Sequence, residues 1–304
     1  MACLEGMAPF HVPDAGKDVQ TWYKVFGDLT GSQVALIALH GGPGIHSSYM
    51  APLADLASHH NIPVVLYDQV GCGNSTRLAH KNGDHTFWTV ELFERELDNL
   101  VQHLGIKQFD LLGHSWGGML GSVYAAKKPP GLRKLVIVSS PASLQTWLQS
   151  VYSLLERIPE KEREDFKRYE AEGNFDAPEY KAACMLFYTR HLCRYDPWPE
   201  ELDASMNALE EDATVYGTMY GPSEITCNGV LKTWTAIPTA HQITSPTLLI
   251  NGEFDEAQEV AVAPFFEKIP KVKWITLANC SHTAMWEDRE KFTQVVSTFL
   301  TSQA

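Results

Sequence analysis

At 304 residues the chain is long enough for one large domain or two, and 44% hydrophobic with 20% charged residues is the balance of a soluble globular protein with ample core. Its 37 acidic against 24 basic residues, a formal net charge of −13, argue against nucleic acid or an anionic membrane as the main partner. The same charge is compatible with a cationic substrate.

Met1 to Lys17 has neither a basic start nor a long apolar run, so it is not read as a signal peptide, and no stretch approaches membrane-spanning length. Cys3, Cys72, Cys184, Cys193, Cys227 and Cys280 form no Cys-x-x-Cys pair. They read as thiols of a reducing, cytoplasmic compartment, with no disulfide frame and no metal site.

Thr21 to Phe26 alternates enough to predict an early strand. Val34 to Leu39 is a continuous apolar run, as in a strand covered on both faces. It ends in His40-Gly41-Gly42-Pro43-Gly44, which regular structure cannot accommodate. Pro52 to His60 reads as a helix. Ile62 to Tyr67 is a second buried strand, running into Asp68-Gln69-Val70-Gly71-Cys72-Gly73-Asn74-Ser75. Phe87 to Leu104 carries apolar residues at helical spacing and predicts a surface helix. Phe109 to Leu112 is a short apolar strand ahead of Gly113-His114-Ser115-Trp116-Gly117, and a helix follows from Trp116 to Lys127. Leu135 to Val138 is the next strand.

From Ala142 to Pro238 strand-like runs vanish, and charged helical stretches interleave with Trp147, Trp198 and Trp234. The β/α rhythm resumes with a strand at Pro246 to Ile250, a helix at Glu259 to Ile269, a strand at Val272 to Leu277 and a helix at Asp288 to Thr301. The expected architecture is therefore α/β. A mostly parallel sheet with helices on both faces is built from residues 1–141 and 239–304, with 142–238 inserted as a helical cap.

A strand, then Gly-x-Ser-x-Gly, then a helix is the nucleophile-elbow pattern. The sharp turn forces unusual dihedrals on Ser115, and glycines at 113 and 117 remove side chains that would collide there. Acyl transfer also needs a base, an orienting acid and an oxyanion hole. On elbow-type hydrolases the acid and then the histidine follow the serine in the chain. Two successive predicted strands end in Asn251-Gly252-Glu253-Phe254-Asp255-Glu256 and in Ala278-Asn279-Cys280-Ser281-His282. Asp255 and His282 fit that order, with Glu253 and Glu256 as rival acids. His114, beside the serine, should point away from it and pack or hydrogen-bond. His59, His60 and His241 read as surface residues. The expected oxyanion donors are the backbone N–H of Trp116 and that of Gly42, with Pro43 fixing the loop.

The chain resembles the proline iminopeptidase family of α/β-hydrolases. The resemblance rests on His40-Gly41-Gly42-Pro43-Gly44, Asp68-Gln69 with Gly71-Cys72-Gly73 and Ser75, Gly113-x-Ser115-x-Gly117-Gly118, Gly252 to Glu256, and Ser281-His282 with Met285-Trp286-Glu287. Within the cap, Pro178-Glu179-Tyr180 and Tyr216 through Tyr220-Gly221-Pro222-Ser223-Glu224 are similar to the tricorn-associated aminopeptidase branch.

The resemblance implies an α/β-hydrolase fold and no cofactor. It implies release of an amino-terminal residue, proline or another apolar one, from short peptides or amino-acid amides that carry a free amino terminus. It also implies that Glu224 and Glu256 bind the substrate ammonium, with Tyr216 nearby. Two other functions are compatible with the same frame: an esterase or lactonase of small-molecule metabolism, and a non-catalytic ligand-binding protein on the same fold. A carboxylate-nucleophile dehalogenase or epoxide hydrolase is disfavoured by the serine at 115.

Overall fold

A computed structural model describes residues 3–302. One sheet of eight strands runs through it in the order β1-β2-β4-β3-β5-β6-β7-β8. The strands are β1 (Cys3–Phe10), β2 (Val19–Phe26), β3 (Ala35–Leu39), β4 (Val64–Tyr67), β5 (Phe109–His114), β6 (Leu132–Val138), β7 (Thr247–Gly252) and β8 (Val272–Leu277). β1 with β2 and β2 with β4 pair antiparallel, and every pairing from β4 through β8 is parallel.

β3, β4 and β5 are buried along their whole length. Successive side chains alternate between two apolar cores, one on each face of the sheet. Ile37 and Leu39, Val65 and Tyr67, and Leu135 and Ile137 join one core. Leu36 and Ala38, Val64 and Leu66, and Val136 and Val138 join the other. Two-sided burial explains why these strands read as unbroken apolar runs rather than as alternating patterns.

β1 is the strand that periodicity does not reveal. Its sequence contains Gly6 and Pro9, and it lies at the sheet edge with most of its residues exposed or half-buried. An edge strand needs only one bonded side, so it tolerates a proline and lacks a two-sided apolar signature. The helix expected from Pro52 to His60 is split for a related reason. Ser47–Leu53 is a 3-10 helix containing Pro52, and the α-helix begins only at Ala54. A short helix, Ala284–Glu287, also precedes the final helix Arg289–Thr301.

Between β6 and β7 the regular elements are helical. The α-helices are Leu144–Leu155, Glu160–Glu172, Pro178–His191, Glu200–Glu211 and Thr214–Met219. This segment leaves and rejoins the body at adjacent points. Ala236 N–H donates to Ala142 O at 2.9 Å, and Leu144 N–H donates to Trp234 O at 3.1 Å. No helix among the described residues is long and apolar enough to cross a membrane.

The parallel strands set the position of the elbow. Ser115 N–H extends the β5–β6 ladder by donating to Val138 O at 3.0 Å, and the helix Trp116–Ala126 then turns back across the sheet. A Cβ at Gly113 would land on the Gly117 carbonyl, and one at Gly117 on the Leu39 carbonyl, so helix and strands meet backbone to backbone. Gly117→Ala is expected to lower stability by about 3 kcal/mol, the upper end for overpacking, because rigid backbone must give way. Gly217→Ala is the matched control, since its Cβ would meet nothing within 4 Å. Urea unfolding should show a large fall in midpoint for the first variant and none for the second.

Candidate active site

Ser115 sits at φ 54° and ψ −121°, a conformation that non-glycine residues rarely adopt and that the turn imposes. It lines two small cavities. One, of about 20 Å³, also touches Gly42, His114, Glu224, Glu256 and His282. The other, of about 10 Å³, also touches Gly42, Trp116, Met119, Trp147 and Glu224. Leu202 and Met206 on the helix Glu200–Glu211 form part of the wall of the first.

Asp255 and His282 come from the loops that follow β7 and β8, and they meet directly. His282 Nδ1 is 2.8 Å from Asp255 Oδ1, which also accepts the Ala257 N–H at 2.8 Å; Gly252 N–H donates to Oδ2 at 3.2 Å. Burial works against the Asp255 carboxylate, but His282 and, more weakly, the Ala257 N–H outweigh it and hold the group below its usual range. Glu253, one of the rival acids, turns away and accepts the Asn279 N–H at 2.9 Å. His59, His60 and His241 are exposed.

The other ring nitrogen of His282 faces the second rival acid. Nε2 lies 3.5 Å from Glu256 Oε1, and among the described residues no hydrogen bond joins it to Ser115 Oγ. The Glu256 carboxylate is fully buried, and neither oxygen has a hydrogen-bond partner. Its main chain is fixed by the helical segment, because Ser150 Oγ donates to Glu256 O and accepts the Gln258 N–H at 2.9 Å. Burial pushes the Glu256 carboxyl well above its ordinary range. Nearby Glu224 and Asp255 push the same way, and only His282 opposes them.

Glu224 reaches the same cavity from the helical segment. Tyr216 Oη donates to its Oε1 at 2.8 Å, while Trp147 Nε1 and Tyr220 Oη hold its backbone carbonyl at 3.2 and 2.7 Å. Burial raises the Glu224 carboxyl, and the Tyr216 bond and His282 partly offset this. The structure thus brings Ser115, His282, Glu224 and Glu256 to one cavity, with Asp255 behind His282 and Tyr216 behind Glu224.

The loop after β3 is set by a buried polar network. His40 Nδ1–H donates to Gly41 O at 2.9 Å, which leaves Nε2 to accept the Gln69 N–H at 2.9 Å. Gln69 Nε2 donates to His40 O at 3.2 Å, and Gln69 Oε1 accepts the Trp116 indole N–H at 2.8 Å. Asp68 ties down the neighbouring loops by accepting the Ser47 and Asn74 N–H groups, each at 2.8 Å. The Gly42–Pro43 peptide is cis. Among the described residues, neither the Gly42 nor the Trp116 backbone N–H has an acceptor within the protein. Both residues border the Ser115 cavity.

A second chain of bonds joins three loops. His114 Nε2 is 2.8 Å from the His282 carbonyl, which can only accept, so Nε2 carries the proton. Nδ1 must then accept from Tyr49 Oη at 2.8 Å, and Tyr49 Oη accepts the Gly41 N–H at 2.7 Å. Burial pushes the His114 imidazole down to about 3, so the neutral form that this pattern requires is the stable one. His114 hydrogen-bonds, as the sequence reading expects, while that reading assigns no role to Gln69 or Tyr220 and does not name Tyr49 or Ser150. Tyr49 lies on the 3-10 helix and carries no motif signal. Gln69 lay inside the quoted Asp-Gln motif.

No three His, Cys, Asp or Glu side chains among the described residues are grouped so as to hold a metal ion.

Comparison with known proteins places these residues in a family context. A family profile described as alpha/beta hydrolase fold matches residues 34–289. A proline iminopeptidase of Saccharolobus solfataricus is 35% identical over 93% of this chain and 89% of its own length. Among solved structures, VinJ superposes with a TM-score of 0.94 at 41% identity, covering 99% of both chains. Proline iminopeptidase from Mycobacterium smegmatis superposes with a TM-score of 0.89 at 39% identity, covering 98% of this chain and 97% of its own.

The Gly41–Tyr49–His114–His282 chain generates a direct expectation. Tyr49→Phe leaves a buried N–H and a buried imidazole nitrogen unpaired, at a cost of about 1–3 kcal/mol. Because those groups set the position of the reacting loops, kcat should fall about tenfold or more while KM changes little. His114→Asn preserves an acceptor near the Nδ1 position and His114→Gln a donor near the Nε2 position. Each should retain more activity than His114→Leu in the same steady-state assay.

Proposed function

We propose, from the premise that the chain belongs to the proline iminopeptidase family of α/β-hydrolases, that it removes the amino-terminal residue of short peptides or amino-acid amides through an acyl-enzyme. It is a hydrolase of the aminopeptidase class. The observation that carries the substrate reading is the pair of buried carboxylates, Glu224 and Glu256, that border the same cavity as Ser115.

In this proposal Ser115 is the nucleophile and His282 the base, with Asp255 holding the imidazole by Nδ1. His282 Nε2 takes the hydroxyl proton as Oγ attacks the carbonyl carbon. The Gly42 and Trp116 N–H groups receive the oxyanion; each such donor is worth roughly 3 kcal/mol in the transition state. His282 then protonates the departing amine, and water enters by the same route in reverse to release the amino acid. These steps use side chains, backbone and water alone, so the proposal requires no cofactor.

Glu224 and Glu256 would take the ammonium, or the secondary ammonium of proline. Unit charges about 4 Å apart at an effective dielectric near 20 attract by roughly 4 kcal/mol before desolvation. One methylene in an apolar pocket changes specificity by only ~1–3 kcal/mol. Charge recognition should therefore outrank side-chain fit. Apolar walls from Ile45, Leu192, Leu202 and Met206 favour proline or another apolar residue in the acyl position. Residues 142–238 are read as a cap that supplies Glu224, Tyr216 and all of these walls except Ile45, which comes from the loop after β3. A reducing, cytoplasmic setting is supported by six free cysteines.

Two measurements test this. Ser115→Ala should lower turnover of aminoacyl arylamides by about 10⁴-fold or more while thermal unfolding is unchanged. Glu224→Ala and Glu256→Ala should each raise KM for those arylamides about thirtyfold, equivalent to about 2 kcal/mol, and raise KM for neutral aryl esters far less. Equal effects on both substrate classes, or cleavage of N-acetylated arylamides as fast as free ones, would remove the ammonium role.

A further inference from the structure

Resting on that reading of the site, we propose that Glu256 keeps His282 idle in the unliganded enzyme, and that the ammonium of a proper substrate releases the imidazole to Ser115. The amine would then be an activator of the catalytic base as well as a handle for binding.

The geometry is specific. Asp255 fixes His282 by Nδ1 at 2.8 Å, so only Nε2 is available for catalysis. That nitrogen faces Glu256 Oε1 at 3.5 Å rather than making a hydrogen bond to Ser115 Oγ. Glu256 has no other partner on either oxygen and is fully buried. The charged groups packed around the imidazole are all carboxylates, and its other neighbours are neutral. The loop after β7 contributes Asp255 and Glu256, and the helical segment contributes Glu224, backed by Tyr216 and Tyr220. β5 contributes the His114 ring, edge-on at 4.7 Å, and the helix Leu144–Leu155 contributes Trp147, edge-on at 5.8 Å. The backbone N–H of His282 donates to His191 O at 3.0 Å, while His191 Nδ1 is engaged by Phe254 O at 2.8 Å. Three carboxylates thus share one imidazole, and the neutral His114 offers no second positive charge.

Such an arrangement stores a proton. Burial alone would lower the imidazole, but Glu256, Asp255 and Glu224 outweigh it and push His282 up to about 9. The Glu256 carboxyl is raised as well, so the two groups behave as one pair that holds a proton at neutral pH. An imidazole whose Nε2 is protonated cannot accept the Ser115 proton. An ammonium placed between Glu224 and Glu256 supplies the missing positive charge, and the proton of the pair leaves to solvent. Glu256 is then a carboxylate facing the amine, and His282 is a neutral base facing Ser115. A neutral ester brings no such charge and meets the idle form.

The test uses the whole enzyme and 4-nitrophenyl acetate, with methylammonium as the added cation and blanks subtracted for direct aminolysis. Acetyl plus methylammonium supplies the two ends of an aminoacyl group as separate molecules. Two results are expected. At pH 7 methylammonium should raise ester kcat/KM about tenfold before it saturates. Without amine, the rise of ester kcat/KM with pH should centre near 9 in the wild type and move down toward 7 in Glu256→Gln, with a higher rate at pH 7 and no response to methylammonium.

The proposal is overturned if methylammonium only inhibits, or if the pH limb stays in place in Glu256→Gln. The wild-type arm needs no variant to fold. Failure of the parent reading looks different: free-amine arylamides would not be cleaved at all, whatever the ester results.

Discussion

Buried negative charge gathered at one cavity is the constraint around which this molecule is arranged. Asp255, Glu256 and Glu224 are all buried, and one imidazole stands among them. Removing a carboxylate from water costs several kcal/mol, and attraction to a partner repays it only where geometry and hydrogen bonds are good. Asp255 meets that condition, with His282 and two backbone N–H groups around it. Glu256 does not, since both of its oxygens lack a partner. A group left in that state destabilises the fold. Proteins carry such groups where a ligand is to supply what is missing.

The rest of the structure makes that arrangement rigid. The parallel strands deliver Ser115, Asp255 and His282 at the same end of the sheet, as expected for loops at the carboxyl ends of strands. Side chains then connect the loops that the strands deliver. His40, Gln69 and Trp116 join the loop after β3 to the elbow helix. Gly41, Tyr49, His114 and the His282 carbonyl join the same loop to the loop after β8. Ser150 and Trp147 extend the frame into the helical segment, holding the backbones of Glu256 and Glu224. Each of these bonds is buried, where an unpaired end is costly, so the loops have little freedom to drift apart.

Much of this was legible in the sequence because it follows from local rules. Runs buried on both faces announce β3 through β7, and Gly113 and Gly117 announce a turn that only glycine can make. Chain order picked out Asp255 and His282, which the structure joins at 2.8 Å. The rest depends on tertiary placement. β1 is masked by Gly6 and Pro9 and gains its structure from pairing with β2. Tyr49 looks like any core aromatic until His114 and Gly41 are seen on its hydroxyl. The rivalry among Glu253, Asp255 and Glu256 could not be settled by spacing, because the loop between β7 and the helix Glu259–Lys268 can turn any of them inward. The fold separates Glu253, turned to Asn279, from Glu256, turned to His282.

The two acidic neighbours, 255 and 256, therefore do opposite things to one imidazole. Asp255 holds Nδ1 and so fixes the tautomer and orientation that any base in this position needs. Glu256 approaches Nε2, the nitrogen that must stay free to work. A site built only for acyl transfer would gain nothing from the second carboxylate, since it competes with the serine for the same ring atom. Its presence becomes intelligible once the substrate carries a positive charge, because that charge and the imidazolium cannot both be needed by the same carboxylate. Under the proposed mechanism, selectivity enters twice from a single side chain, through affinity for the amine and through the protonation state of His282. A hydrolase on this fold that acted on neutral esters would be expected to lack it.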